Sequence, residues 1–462
     1  MVEIWRMGAG EVSRLIADRR VSPVEVMRET LARIDAVNGA VNAVVSLRDR
    51  EALMGEARLK EAMPPEGWLH GVPIAVKDLV AVKGVVSTWG APHLARNVPD
   101  ADDGLVRRLR AAGAIVIGKT NVPQFGLGSH STNRIFGVTR NPRDLSRTAG
   151  GSSGGAGAAL ASGMLSVADG SDMMGSLRNP AAWNGVYGFR PTVGLVPGEP
   201  RDAVFQHRLS TFGPMARNLE DLEALLVTLS GGAHSALAAA PARAPRVGWL
   251  GDWGGAFAME PGLMDLAEGA LSVMGDLGWR VEPMAPPANA AMLWDSWTDL
   301  RSFTVGWERG ADYRDPIRRE GLNAQAIWEI ERGLAMTGDQ VARAAALRDA
   351  WLAVVRRTFE TVDCLVLPST QVWPFAVQHD WPTQIAGRQM DTYHRWMEAM
   401  VPASLAGLPV VNLPAGHGPC GLPAGIQVIG KSGSDAKLLA WARAYEAAIG
   451  PCTIAEPHAA QA

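Results

Sequence analysis

Cysteine is nearly absent from the 462 residues: there are three, Cys364, Cys420 and Cys452. They lie far apart and form no C-x-x-C pair, which argues against a disulfide framework or a cysteine zinc site. A charge imbalance is also missing. The formal net charge is −3, so nothing draws the chain to nucleic acid or to an anionic membrane. No apolar run reaches the roughly 18 residues of a membrane span. The opening MVEIWRMGAGEVSRLIADRR has no apolar centre like that of a secretory signal. No internal repeat is present, which argues against a solenoid or propeller. A reducing cytoplasm is the expected location.

What is present fits an ordinary globular chain, with 47% hydrophobic and 20% charged residues. At this length it can bury about three quarters of its unfolded surface. Ser22, Pro23 and Glu25 form a capping box with proline at the first helical position. Val24, Met27, Leu31 and Ile34 follow at helical spacing. Buried strands are expected within GVPIAVKDLV (71–80), AGAIVIGKTN (112–121), RVGWL (246–250), DCLVLP (363–368) and LPVVNLPAG (408–416), and a further strand at WRVEP (279–283). Helices are expected at 155–163, which is rich in small residues, at 216–231 and at about 261–277. Residues 286–345 read as helical and hold Trp294, Trp297, Phe303, Trp307 and Trp328, which at that spacing are core residues first. The alternation predicts an α/β fold with a mostly parallel sheet covered on both faces. The Ala- and Pro-rich stretch 231–245 reads as a surface loop, so 1–462 is expected to be one domain.

Two glycine-rich stretches carry the chemistry, GGSSGG at 150–155 and GSDMMGSLRNP at 170–180. GAIVIGKT (113–120) matches a phosphate-loop pattern. Its apolar run lies inside the motif, however, and Val122–Pro123 follows, which disfavours a helix there. Lys119 therefore reads as a strand lysine. GGSSG (150–154) matches the nucleophile elbow of α/β-hydrolases. That elbow needs a preceding strand, whereas NPRDLSRTA reads as a polar loop. It also needs a histidine partner, and His207, His379 and His394 sit in no recognisable context.

A third reading takes both stretches together. The chain resembles the amidase signature family over nearly its whole length. The resemblance runs through LHGVPIAVKDLV, AGAIVIGKTNVPQFGLGSHSTN, TAGGSSGGAGAALASG, GSDMMGSLRNPAAWNGVYGFRPTVGLVP and GLPAGIQVIG. It implies a single α/β/α domain with a central mixed sheet, a signature core at 65–230 and a variable, substrate-side region at 286–400. It further implies a Lys–Ser–Ser triad of Lys77, Ser152 and Ser176, with Ser176 as nucleophile and a cis peptide bond at Ser152. Backbone N–H groups of Met173, Met174, Gly175 and Ser176 would form the oxyanion hole. Gly126, Gly128 and Ser129 would contact substrate. No metal or cofactor is implied, and the partner is a small amide or carbamate. A homo-oligomer is compatible with the resemblance.

The chemistry is coherent by itself. A serine hydroxyl is a weak nucleophile until a base removes its proton. Lysine serves as that base only when neutral, and burial favours the neutral amine. Asp172 and Arg178 flank the turn and are expected to brace it as an ion pair. One departure stands out: the family pattern D-x-G-G-S is D-M-M-G-S here, with Met174 at a glycine position. A methionine there would be strained if the turn required φ > 0 at that position. The expected reaction is hydrolysis of a small, apolar or aryl amide through an acyl-enzyme. Carbamates and esters are open to the same triad. Two further readings stand beside it, the A-subunit of a tRNA-dependent amidotransferase and a non-catalytic binding protein on the same scaffold.

Overall fold

The computed structural model describes residues 3–198, 209–232, 243–418 and 421–457. The stretch 231–245 expected to be a surface loop lies largely outside these residues, as do His207 and Cys420. The capping box forms as the sequence predicts. Ser22 Oγ accepts from the Glu25 amide at 3.2 Å, and Glu25 accepts from the Ser22 amide at 2.8 Å. The helix Pro23–Val41 follows and buries Met27, Leu31 and Ile34.

The main sheet has eight strands. Their order is Arg280–Pro283, Arg246–Trp249, Cys364–Pro368, Pro423–Gly430, Val410–His417, Tyr187–Arg190, Thr211–Ala216 and Val167–Asp172. The first three run parallel, and every later pairing is antiparallel. The sheet is mixed, and the mostly parallel reading is corrected. Continuous apolar runs report burial on both faces, and burial does not fix strand direction. A second sheet holds Val44–Val45, Ile115–Thr120 and Pro73–Lys77, the last two parallel.

Side chains alternate across the strands, as the two-residue period requires. Cys364 and Val366 enter one apolar cluster, with Leu222, Leu226, Met274 and Leu439 from the helices Leu219–Leu229, Leu263–Asp276 and Asp435–Ile449. Leu365 and Leu367 enter another, with Trp183, Trp297, Leu300 and Trp351. These come from the helices Arg178–Asn184, Ala290–Arg314 and Gly338–Thr361. Helices thus cover both faces, as an α/β/α layering demands. No described helix is long and apolar enough to cross a membrane.

Asp144–Thr148, expected to be loop, is a strand of a small hairpin with Arg140–Asn141. It is not part of the main sheet. The hairpin leads into the Gly-rich loop and the wholly buried helix Gly154–Ala161. A side chain at Gly155 would collide with the Asn121 amide nitrogen at 2.3 Å, so close packing explains the small residues.

Candidate active site

Lys77 ends the strand Pro73–Lys77 and is completely buried. Its amide donates to Asp169 Oδ1 at 3.1 Å, which ties the second sheet to the edge strand Val167–Asp172 of the main one. Its Nζ lies 2.9 Å from Ser152 Oγ, 2.8 Å from Ser153 Oγ and 3.0 Å from Ser171 Oγ. Burial pushes the Lys77 ammonium down to about 7, although the charges of Asp169 and Asp172 pull it upward. The neutral amine has a lone pair, so one neighbouring hydroxyl can donate to it. Ser153 and Ser171 were not singled out in the sequence. Their signal, a second serine in GGSSGG and a serine before Asp172, is visible only once Lys77 is in place.

The Gly151–Ser152 peptide bond is cis. Ser129 does not line the cavity that holds Ser152 and Ser176. Its Oγ accepts from the Gly151 amide at 3.1 Å, and it also bonds the Gly151 carbonyl, so it holds the loop rather than facing the cavity. The Ser153 amide donates to the Ser176 carbonyl at 3.2 Å, which joins the two serine segments.

The turn between Asp172 and Arg178 carries Ser176. The Asp172 carboxylate accepts from the Gly175 amide at 2.8 Å, the Leu177 amide at 3.2 Å, and Arg178 Nε at 3.0 Å and Nη2 at 2.9 Å. Burial alone would push Asp172 up, but Arg178 and Arg190 outweigh it and hold the carboxyl far below its usual range. The positive φ of the turn falls on Gly175, at 84°, while Met174 is not among the positive-φ residues. Methionine at 174 is therefore unstrained, and the glycine that the backbone needs is kept. The Gly175 amide is spent on Asp172, so Gly175 drops out of the expected oxyanion donors, and Met173, Met174 and Ser176 remain.

Ser152, Ser171 and Ser176 line one cavity together with Gly126, Gly128, Met173, Met174, Met397 and Arg301. Trp89, Phe125 and Phe212 are its aromatic walls. Trp294 and Trp297 belong to the core instead, and Trp307 and Trp328 are exposed. The aromatics named at 294–328 thus stand outside the cavity lining, whereas Trp89, Phe125 and Phe212 belong to it. Among the described residues no histidine lines the cavity. His394 is buried beside Glu329, with its Nε2 3.6 Å from Oε1. Lys119 is buried in its strand, where it bonds the Val80 carbonyl and lies 3.9 Å from Asp78, in no phosphate loop. Among the described residues no three His, Cys, Asp or Glu side chains are grouped to hold a metal ion.

A family model described as Amidase matches residues 25–439. A Thermus thermophilus protein, named as the A-subunit of glutamyl-tRNA(Gln) amidotransferase, is 35% identical over 98% of this chain and 99% of its own. An acylamidase of Rhodococcus erythropolis is 31% identical, over 96% and 95%. The crystal structure of a bacterial aryl acylamidase superposes with a TM-score of 0.87 at 28% identity, covering 96% of each chain.

Proposed function

The chain belongs to the amidase signature family, and from that premise we propose that it acts alone as a hydrolase of small, apolar or aryl amides. Members of the family include enzymes that hydrolyse amides. The observation that carries the reading is Lys77, fully buried and with its Nζ 2.9 Å from Ser152 Oγ, in a site whose cavity also holds Ser176.

In this reading neutral Lys77 takes the Ser152 proton as Ser152 takes that of Ser176. Ser176 Oγ then attacks the amide carbon. Negative charge develops on the carbonyl oxygen and is met by the amides of Met173, Met174 and Ser176, fixed in place before the reaction. Collapse of the tetrahedral adduct breaks the C–N bond, and the proton returns through Ser152 to the leaving amine. Water attacks the acyl-enzyme by the same relay and frees Ser176. Asp172 and Arg178 hold the turn and do not react. The region 286–400 supplies Arg301, Val305, Glu308, Arg309 and Met397 to the cavity wall, which supports a substrate-side role.

A second reading is supported by the Thermus relative, whose name is that of one component of an amidotransferase. In that case the chain would work with partner subunits and glutamine. A panel of anilides, aliphatic amides, carbamates, esters and glutamine, offered to the purified chain alone, separates the readings. Turnover of anilides or aliphatic amides without any partner is the expected result. Activity on glutamine alone would move the assignment to the amidotransferase reading.

A further inference from the structure

Arg301 lies on the helix Ala290–Arg314, is 4% exposed, and lines the cavity of Ser152 and Ser176. Two of its three nitrogens have strong partners. Nε donates to Glu329 Oε1 at 2.6 Å, and Nη2 donates to the Tyr393 hydroxyl at 2.8 Å. Among the described residues the third, Nη1, meets only the Met173 thioether, at 3.2 Å. Thioether sulfur is a weak acceptor. A guanidinium nitrogen therefore stands in the cavity wall with donor capacity unspent, beside the turn that leads to Ser176.

The charge around it selects the acceptor. Glu329 is fully buried and ion-paired to Arg301. Burial would raise its carboxyl, but the Arg301 guanidinium outweighs this and holds it down. The pair is ionised and sums to zero. The other charged wall residues among those described, Glu308 and Arg309, also sum to zero. A substrate carboxylate would add an uncompensated buried charge, which is costly. A neutral oxygen would gain a charge-assisted hydrogen bond at no such cost.

We propose that Arg301 is a recognition residue whose Nη1 donates to a second, neutral carbonyl oxygen carried by the amide substrate besides the one that reacts. The proposal rests on the amidohydrolase reading. It assigns the substrate class more narrowly, to amides that bear a further neutral acceptor rather than a carboxylate or a plain alkyl group.

The test uses 4-nitroanilides in sets of matched length. One member carries a ketone carbonyl in the acyl chain, one a methylene in its place, and one a terminal carboxylate. A parallel set of alkanamides carries the same groups on the amine side. In one of the two sets the full chain should prefer the ketone over the methylene by about tenfold or more in kcat/KM. The carboxylate should rank below the ketone. Arg301→Met should bring the ketone-to-methylene ratio close to one. The double variant Arg301→Met/Glu329→Gln, which leaves no buried charge unpaired, should do the same if the single variant folds poorly. The same ratio should appear in dissociation constants measured calorimetrically on Ser176→Ala. No ketone preference in either set, a ratio unchanged by both variants, or a carboxylate bound best would overturn the proposal. If the wild-type chain hydrolyses nothing, the hydrolase reading fails separately, and the binding ratios on Ser176→Ala still decide the role of Arg301.

Discussion

The protonation of Lys77 makes a quantitative prediction. Its ammonium is pushed by burial from 10.5 down to about 7. Only the neutral amine can start the relay, so kcat/KM follows the deprotonated fraction and rises with pH. With a midpoint near 7, about a tenth of the lysine is neutral at pH 6 and about nine tenths at pH 8, a rise of roughly tenfold followed by a plateau. A solvated lysine would give a rise of roughly a hundredfold over the same interval, continuing beyond pH 10. The informative perturbation is Asp169→Asn. Asp169 is fully buried, its Oδ2 has no hydrogen-bond partner among the described residues, and its charge raises Lys77. Burial pushes Asp169 itself up to about 6, against the Lys77 amide and the charges of Lys119 and Lys77. The two groups therefore titrate as a pair. Asparagine keeps an oxygen for the Lys77 amide and removes the charge. The midpoint should move to lower pH, and the ratio between pH 8 and pH 6 should fall below tenfold. The assay is release of 4-nitroaniline at substrate well below KM, repeated with a poorer leaving group to show that chemistry limits the rate. A profile that still climbs above pH 9, or a midpoint that Asp169→Asn does not move, would refute the reasoning.

Further substitutions probe the rest of the site. Lys77→Ala should reduce kcat/KM nearly to background, and Ser152→Ala should retain a small activity through water relay; steady-state kinetics compares them. Gly126 has φ of 73°, and a Cβ there would meet Leu79 Cδ1 at 2.7 Å and Ser152 Oγ at 3.4 Å. Gly126→Leu should disturb Ser152 and depress every substrate, rather than narrow the pocket for bulky acyl groups alone. Gly126→Ala should cost about 1–2 kcal/mol of stability in thermal unfolding and keep measurable turnover. Met174 lines the cavity and packs in the apolar cluster with Trp183 and Met400. Met174→Gly should raise the kcat/KM ratio of bulky to small acyl groups, while losing at least about 2 kcal/mol of stability to the void.

What the sequence discloses follows from how local each feature is. The capping box at Ser22–Glu25, the strands and the approach of Lys77 to Ser152 are written in short stretches, and short stretches can be read. The sheet's direction depends on where each connection returns, which apolar runs such as DCLVLP do not record. The role of Gly175 was hidden because D-M-M-G-S keeps one glycine, and only the backbone shows that this is the residue with positive φ. Its amide left the oxyanion set because Asp172 folds back onto it, a contact within one turn that spacing does not reveal. Arg301, Glu329 and Tyr393 come from three separate segments, and nothing local distinguishes Arg301 from any other helical arginine. Trp294 and Trp297 read as core and are core, while Trp89, which faces the cavity, sits in a loop with no periodicity to mark it.

In the proposed mechanism Ser176 forms a covalent acyl-enzyme. Rapid acid quench of the full chain during turnover of a 4-nitroanilide, followed by digestion and mass spectrometry, tests it most directly. The expected result is an acyl adduct on the Ser176 side chain, a matching burst of 4-nitroaniline, and neither in Ser176→Ala. An adduct on Ser152 or Ser171, or full turnover by Ser176→Ala, would contradict it.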